Sequence, residues 1–169
     1  MEIEIKLTYK NKPKIVELLK KWGFTHTKTT SIHDLYFGIE GKSMSNKNRL
    51  FRIRNVDGRT ELTLKDNMTD NNGVWIRREI NVGIDNLEGI RSILETLGCA
   101  FIKENRSSRE IWKKGNISFE FISFTVPTVL DLIEIEADDE AKINQLVTDL
   151  EDLVTNAGED VFSVFDKKN

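Results

Sequence analysis

The sequence predicts an α+β domain built on a closed antiparallel β-barrel, with charged residues turned inward and helices on the flanks. Three observations predict it. In the first seven residues Glu2, Glu4 and Lys6 fall on one face of a strand and Ile3, Ile5 and Leu7 on the other. The same alternation returns in Arg52-Ile53-Arg54, Glu61-Leu62-Thr63-Leu64-Lys65, Arg77-Arg78-Glu79-Ile80-Asn81 and Glu134-Ile135-Glu136. One solvated sheet face accounts for a single strand of this kind; so much mixed charge on so many strands suits a closed lumen instead. The third observation is a repeat. Aligning Glu4-Ile5 with Glu79-Ile80 sets Ile15 on Ile90, Leu18 on Ile93, Leu19 on Leu94 and Gly23 on Gly98 without a gap, which implies a pseudo-two-fold barrel made of two strand-helix halves.

Each element follows from local signals. After the first strand, Asn11 to Gly23 reads as a helix, with Pro13 in its first turn, Ile15, Leu18, Leu19 and Trp22 at helical spacing, and Gly23 as its stop. Thr29 to Phe37 reads as a strand carrying His33, Asp34 and Tyr36, and Gly38 to Asn48 as a loop. Leu50 to Lys65 is a hairpin turning at Asp57-Gly58, a register that sets Arg54 opposite Glu61, Arg52 opposite Thr63 and Leu50 opposite Lys65. Phe51, Ile53, Leu62 and Leu64 take its other face. Asp66 to Gly73 reads as a polar turn and Val74 to Val82 as a strand, with Arg78 at a rim. A helix from Asp85 to Leu97 stops at Gly98, and Ile102 to Trp112 carries Lys103, Arg106 and Arg109. Strands follow at Asn116 to Phe124 and Val129 to Ala137, then a helix from Asp138 to Ala157 and a tail, Val161 to Asn169, with Phe162 and Phe165 as anchors.

Composition narrows the function. A chain of 169 residues with 38% hydrophobic and 31% charged residues has room for one domain, 1–169, with a real core. Its net charge of −3 exerts no global pull on nucleic acid, so an anion site has to be local. Cys99 is alone, which excludes an internal disulfide and fits a reducing compartment. No apolar run approaches the ~18 residues of a membrane span, and the expected location is cytoplasmic with no membrane partner.

The strand faces gather acidic Glu2, Glu4, Glu79, Glu120, Glu134 and Glu136 with basic Lys6, Arg52, Arg54, Lys65, Arg77 and Arg106. Mg2+ and Mn2+ prefer carboxylate and phosphate oxygen, and phosphoryl chemistry needs guanidinium or ammonium groups against the remaining phosphate charge. Both inventories occur together, and no phosphate-binding glycine loop, nucleophile elbow or zinc spacing competes. Carboxylates clustered in this way are expected to repel one another, so neutralising Glu134 or Glu136 should leave stability level or raise it.

Glu2-Ile3-Glu4-Ile5-Lys6 resembles the ExExK signature of the CYTH superfamily, the triphosphate tunnel metalloenzymes. The resemblance continues through Asp34-Leu35-Tyr36-Phe37, Phe51 to Arg54, Leu62 to Lys65, Arg77-x-Glu79, Arg106 and Ile133 to Glu136, in order along nearly the whole chain. It implies an eight-stranded antiparallel tunnel. It implies Mg2+ or Mn2+ on Glu2, Glu4, Glu134 and Glu136, with Glu120 as a further oxygen ligand. It also implies a triphosphate on Lys6, Arg52, Arg54, Lys65, Arg77 and Arg106, with Lys6, Arg54 and Glu136 as catalytic residues. By length and layout the chain is most similar to the class IV adenylate cyclases, which convert ATP to cyclic AMP and pyrophosphate; a thiamine or inorganic triphosphatase is the alternative, and a non-catalytic binder of phosphorylated ligands the second. A homodimer is implied as well.

Three positions depart from the family pattern. Asn81 stands where a second glutamate follows Arg77-x-Glu79, Glu120 replaces an aspartate, and Glu104 takes the place of a lysine two residues before Arg106, leaving open whether Lys103 or Arg109 substitutes. The plainer readings are that Lys103 and Arg109 are surface charges, that His33 is a strand-edge residue, that Trp22, Trp75 and Trp112 pack in core or rim, and that Glu61 neutralises Arg54.

Overall fold

The computed structural model describes residues 2–39 and 50–157, without the side chains of Glu2, Asn67, Met68 and Asp70. Its elements in chain order are β1 (Glu2–Tyr9), α1 (Lys12–Lys21), β2 (Thr25–Ile39), β3 (Leu50–Val56), β4 (Arg59–Asn71), β5 (Val74–Gly83), α2 (Leu87–Thr96), β6 (Cys99–Lys114), β7 (Ile117–Val126), β8 (Leu130–Ala137), α3 (Glu140–Asp149) and β9 (Val154–Asn156). Strands β5-β4-β3-β2-β6-β7-β8-β1 pair antiparallel in that order. Pairing of β1 with β5, Glu2 opposite Arg77, closes them into an eight-stranded barrel. The three-residue β9 is an addition on β1, where Val154 to Asn156 pair with Leu7 to Tyr9.

The hairpin register read from Asp57-Gly58 is the observed one: Arg54 faces Glu61, Arg52 faces Thr63 and Leu50 faces Lys65. Asp57 and Gly58 have φ of 51° and 77°, the left-handed values a two-residue turn between twisted strands requires. Asn72 and Gly73, at 52° and 87°, repeat the device. For that reason the expected polar turn at Asp66 to Gly73 is wrong: β4 runs on to Asn71, pairing Asp66 with Arg78 and Asn71 with Val74, and only Asn72-Gly73 turns. The helix expected from Asp138 to Ala157 is also shorter. It ends at Asp149, and Leu153 and Val154, apolar at either helical or strand spacing, are used by a turn and by β9, with Lys10 N–H donating to the Leu153 carbonyl at 3.0 Å. The loop expected from Gly38 begins later, since β2 includes Gly38 and Ile39; its remaining residues, 40–48, and the expected anchors Phe162 and Phe165 lie outside the described residues.

The repeat is present at an offset of 75 residues. Helix α1 begins at Lys12 and α2 at Leu87; each is capped by an asparagine, Asn11 or Asn86, whose side chain accepts from the backbone N–H three residues on, Lys14 or Gly89. Gly23 and Gly98, at φ 86° and 77°, follow the two helix ends. Two pairs of repeat-related residues face each other directly across the ladders, Glu2 with Arg77 and Ile32 with Ser107. A local two-fold axis therefore crosses the barrel through those two pairs.

The two larger apolar clusters lie outside the barrel wall, and a smaller one, Ile122, Phe124 and Leu132, lies on the inner face of β7 and β8, with Phe124 and Leu132 lining the cavity. Helices α1 and α3 bury Ile15, Leu19, Ile143 and Leu146 against Ile5, Leu7, Phe119, Phe121, Ile133 and Ile135 on the outer faces of β1, β7 and β8. Helix α2 buries Leu94 against Phe37, Ile53 and Cys99. Most apolar packing is thus on the outside, and the lumen is left largely to charge. Leu19→Ala should cost about 2–5 kcal/mol and Leu97→Ala, at a position 68% exposed, less than about 0.5 kcal/mol, both read from urea unfolding.

Candidate functional site

A cavity of about 270 Å3 occupies the lumen. Strand alternation turns Glu4 and Lys6 of β1 into it, Arg52 and Arg54 of β3, Lys65 of β4, Arg77 and Glu79 of β5, Glu120 of β7, and Glu134 and Glu136 of β8. The structure therefore brings nine of the sequence-derived site residues to one wall: Glu4, Lys6, Arg52, Arg54, Lys65, Arg77, Glu120, Glu134 and Glu136. The side chain of Glu2 lies outside the described residues, although its backbone holds the β1–β5 ladder opposite Arg77.

Arg106 is a correction. On β6 the buried, inward positions are Lys103, Asn105, Ser107 and Arg109, so Arg106 falls on the outer face. Its side chain is 60% exposed and its Nε donates to Glu104 Oε1 at 2.7 Å, with His33 Nε2 3.0 Å from the same oxygen. Glu104 is outside for the same reason, and the basic positions on this strand are filled by Lys103 and Arg109, which line the cavity and are not surface charges. Alternation was unreadable here because no apolar residue marks a face between Lys103 and Glu110. The repeat carried the missing signal: 75 residues before Arg109 stands Asp34, buried and inward.

Buried charges need partners, and these have them. Lys6 Nζ bridges Glu4 Oε1 at 2.9 Å and Glu134 Oε2 at 2.5 Å. Arg77 Nη2 donates to Glu4 at 3.0 Å, and Arg109 Nη1 joins Glu120 at 2.7 Å to Glu134 at 3.0 Å. Arg54 forms a two-pronged pair with Asp34 at 2.7 and 2.8 Å, Lys65 pairs with Glu79, and Arg52 Nη2 donates to Thr63 Oγ1 at 3.1 Å. Trp75 lies beneath both Lys6 and Arg77, 5.2 and 5.3 Å from its ring, so it is wall and not a platform for a base. Glu61 accepts from Thr63 at 3.4 Å, whereas Arg54 takes Asp34 as its partner.

The network sets protonation states. Burial disfavours the Lys6 ammonium, yet Glu134 and Glu4 overcome it and hold its pKa above the ordinary value, so the group is positively charged beside them. Burial likewise opposes the Glu134 carboxylate, but Lys6 and Arg109 hold its pKa well below the usual carboxylate value. Asp34 is lowered against its burial by Arg54, and burial beside Asp34 raises Tyr36. Unused donors remain in this network: Arg52 Nε and Arg109 Nε are buried without an acceptor among the described residues.

The carboxylates suit a hard divalent ion in kind. Glu4 and Glu134 already share one cation, the Lys6 ammonium, and Mg2+ or Mn2+ takes one or two carboxylates while water and substrate phosphate complete its shell. Among the described residues no three His, Cys, Asp or Glu side chains form a ready-made cage.

Because Glu134 satisfies two buried cations, the stability gain expected from neutralising it is reversed. Its lowered pKa contributes stability that is present above the ordinary 4.5 and is lost as pH falls through the folded value; the raised Lys6 pKa contributes stability present below 10.5 and lost as pH rises past it. Glu134→Gln should cost about 3–5 kcal/mol at neutral pH and flatten the acid limb of the stability profile, read by urea unfolding from pH 3 to 8.

Comparison with known proteins finds relatives of the same fold. A family model described as the CYTH domain matches residues 1–167. A Methanocaldococcus jannaschii protein named "Putative adenylate cyclase MJ0240" is 36% identical over 117 residues, an alignment that covers 69% of this chain and, at 66%, just under two thirds of that protein. Among solved structures, HpAC1 of Hippeastrum, described as a candidate adenylyl cyclase with a dominant triphosphatase activity, superposes with a TM-score of 0.73 at 20% identity, covering 98% of this chain and 95% of that one. The PH1819 protein of Pyrococcus horikoshii OT3 superposes with a TM-score of 0.72 at 20% identity, covering 99% and 100%. With the ExExK strand, the closed eight-stranded barrel and the family match running together from end to end, the chain belongs to the CYTH domain family.

Proposed function

We propose that residues 1–169 form one CYTH-like unit, a divalent-metal-dependent enzyme acting on a nucleoside or organic triphosphate, with ATP converted to cyclic AMP and pyrophosphate as the leading reaction. The observation that carries it is the charge inventory of the lumen. Seven cations line the cavity, Lys6, Arg52, Arg54, Lys65, Arg77, Lys103 and Arg109, against five carboxylates, Glu4, Glu79, Glu120, Glu134 and Glu136. Asp34, which holds Arg54, is a sixth buried carboxylate of the wall, so among the described side chains seven minus six leaves one positive charge facing a triphosphate, whose remaining charge a divalent ion would offset. The orphaned Nε donors of Arg52 and Arg109 supply directed hydrogen bonds for the same anion.

In this reading Glu4, Glu134 and Glu136, with Glu2 and Glu120, hold Mg2+ or Mn2+, which offsets phosphate charge and lowers the pKa of the attacking hydroxyl or water. Arg52, Lys65, Arg77, Lys103 and Arg109 grip phosphate oxygens, and Arg54, fixed by Asp34, presents a guanidinium whose direction is set in advance. Lys6 stays protonated and stabilises charge as it develops on the phosphate. Glu136, the exposed member of the acidic wall, is the carboxylate reachable from solvent for taking up the nucleophile's proton. The 36% identical relative's name favours cyclisation. Hydrolysis of thiamine triphosphate or inorganic triphosphate is the alternative, because the same walls would hold those chains, and the fold relative from Hippeastrum is described by a dominant activity of that kind. A cytoplasmic location and a homodimer belong to this reading as well.

Incubation with ATP, thiamine triphosphate and inorganic triphosphate under Mg2+ or Mn2+, resolving cyclic AMP, pyrophosphate and orthophosphate, tests it. Turnover of at least one is expected, abolished by EDTA and restored by added metal; no turnover and no binding of any of the three would overturn the reading. Arg52→Ala should lower kcat/KM by about a hundredfold or more, whereas Arg106→Ala, on the outer face, should change it less than about twofold. Equal losses would mean that the lumen is not where the triphosphate binds.

A further inference from the structure

One polar group in the lumen asks for something a phosphate does not offer. Asn105, 5% exposed and turned into the cavity from β6, has its Oδ1 buried without a donor among the described residues. An acceptor sealed from water and unpaired costs about 1–3 kcal/mol, and a folded protein rarely keeps one without use. Its repeat counterpart, Thr30, is equally buried but satisfied, since its hydroxyl donates to Asp57 Oδ1 at 2.9 Å. Directly across the ladder from Asn105 stands Asp34, whose carboxylate is taken by Arg54 and Tyr36.

The surroundings say what kind of group the amide would meet. Tyr36 lies opposite Lys103 on β2 and Phe124 opposite Ser107 on β7, so an aromatic ring flanks Asn105 on each neighbouring strand, both lining the same cavity. Arginine donors such as Arg52 Nε and Arg109 Nε call for anionic oxygen; the unpaired Asn105 oxygen adds an acceptor, which only a group carrying an N–H or O–H can satisfy. Whichever way the amide is turned, it presents one donor and one acceptor, the pattern that reads a hydroxyl or an exocyclic amine.

We propose that Asn105, between Tyr36 and Phe124, is a specificity-determining residue that binds the organic part of the substrate, and hence that the tunnel selects a triphosphate bearing a ring with N–H or O–H donors over inorganic triphosphate. The proposal rests on the triphosphate reading of the lumen. It adds the class of group attached to the phosphates, which the charged walls alone do not define.

The test compares wild-type protein with Asn105→Leu and Asn105→Ser, each checked for an unchanged circular dichroism spectrum and a thermal midpoint within a few degrees. Dissociation constants are measured by calorimetry in Mg2+ for a non-hydrolysable ATP analogue and for inorganic triphosphate. Wild type should prefer the analogue, and Asn105→Leu should shrink that preference by about tenfold, with Asn105→Ser, which keeps a hydroxyl, between the two. A preference that survives in both variants, or affinities for the two ligands that fall together, would overturn the proposal and make Asn105 a wall or water-holding residue. If Asn105→Leu does not fold, Asn105→Ser and the wild-type preference still decide. Wild type that binds neither ligand would instead overturn the triphosphate reading.

Discussion

Charge balance inside a closed wall is the constraint on which the rest of this structure depends. Eight strands enclose a space that apolar side chains would ordinarily fill, and here it holds guanidinium, ammonium and carboxylate groups. Such groups tolerate burial only in pairs, so Lys6, Glu134, Arg109 and Glu120 form one connected chain, with Glu4 and Arg77 joined to it through Lys6. The hydrophobic work is displaced to the outside, where α1 and α3 cover β1, β7 and β8 and α2 covers β2 and β3. Each inward residue thereby has two duties. It balances its neighbours when the lumen is empty of ligand, and it offers the same charge to whatever enters.

The two-fold arrangement explains how opposite signs come to share the cavity. In each half a strand-helix-strand unit is followed by a hairpin. The hairpin of the first half, β3–β4, contributes Arg52, Arg54 and Lys65 to the lining; that of the second, β7–β8, contributes Glu120, Glu134 and Glu136. Backbone symmetry is kept in the helix caps and in the ladder pairs Glu2–Arg77 and Ile32–Ser107, while the side chains have diverged in sign. Equivalent positions such as Asp34 and Arg109 are both buried and carry opposite charge.

Much of this was legible in the sequence, for identifiable reasons. The period-two alternation of β1, β3 and β8 is unbroken, that of β5 is interrupted only at Trp75 and Arg78, and Asp57-Gly58 fixes the hairpin register, so nine inward residues could be named from the chain alone. Strand β6 was not legible at the same level: from Lys103 to Glu110 every residue is polar, neither face is marked, and Arg106 was chosen where Arg109 is the inward arginine. The Asn72-Gly73 turn carried the same signal as Asp57-Gly58 but was hidden by the polar run before it. Helix α3 was drawn too long because Leu153 and Val154 satisfy helical spacing and strand pairing equally, and the choice between them is made by β1, a hundred and more residues away in sequence. The reversal at Glu134 has a similar origin, since its partners Lys6 and Arg109 come from distant strands.

The division of sign between the two hairpins also gives the lumen two unlike sides. A strictly symmetric scaffold would present the same charge from both hairpins. Here three cations on one hairpin confront three carboxylates on the other, an electrical asymmetry that runs across the barrel from wall to wall. A duplicated fold has in this way become a sided one.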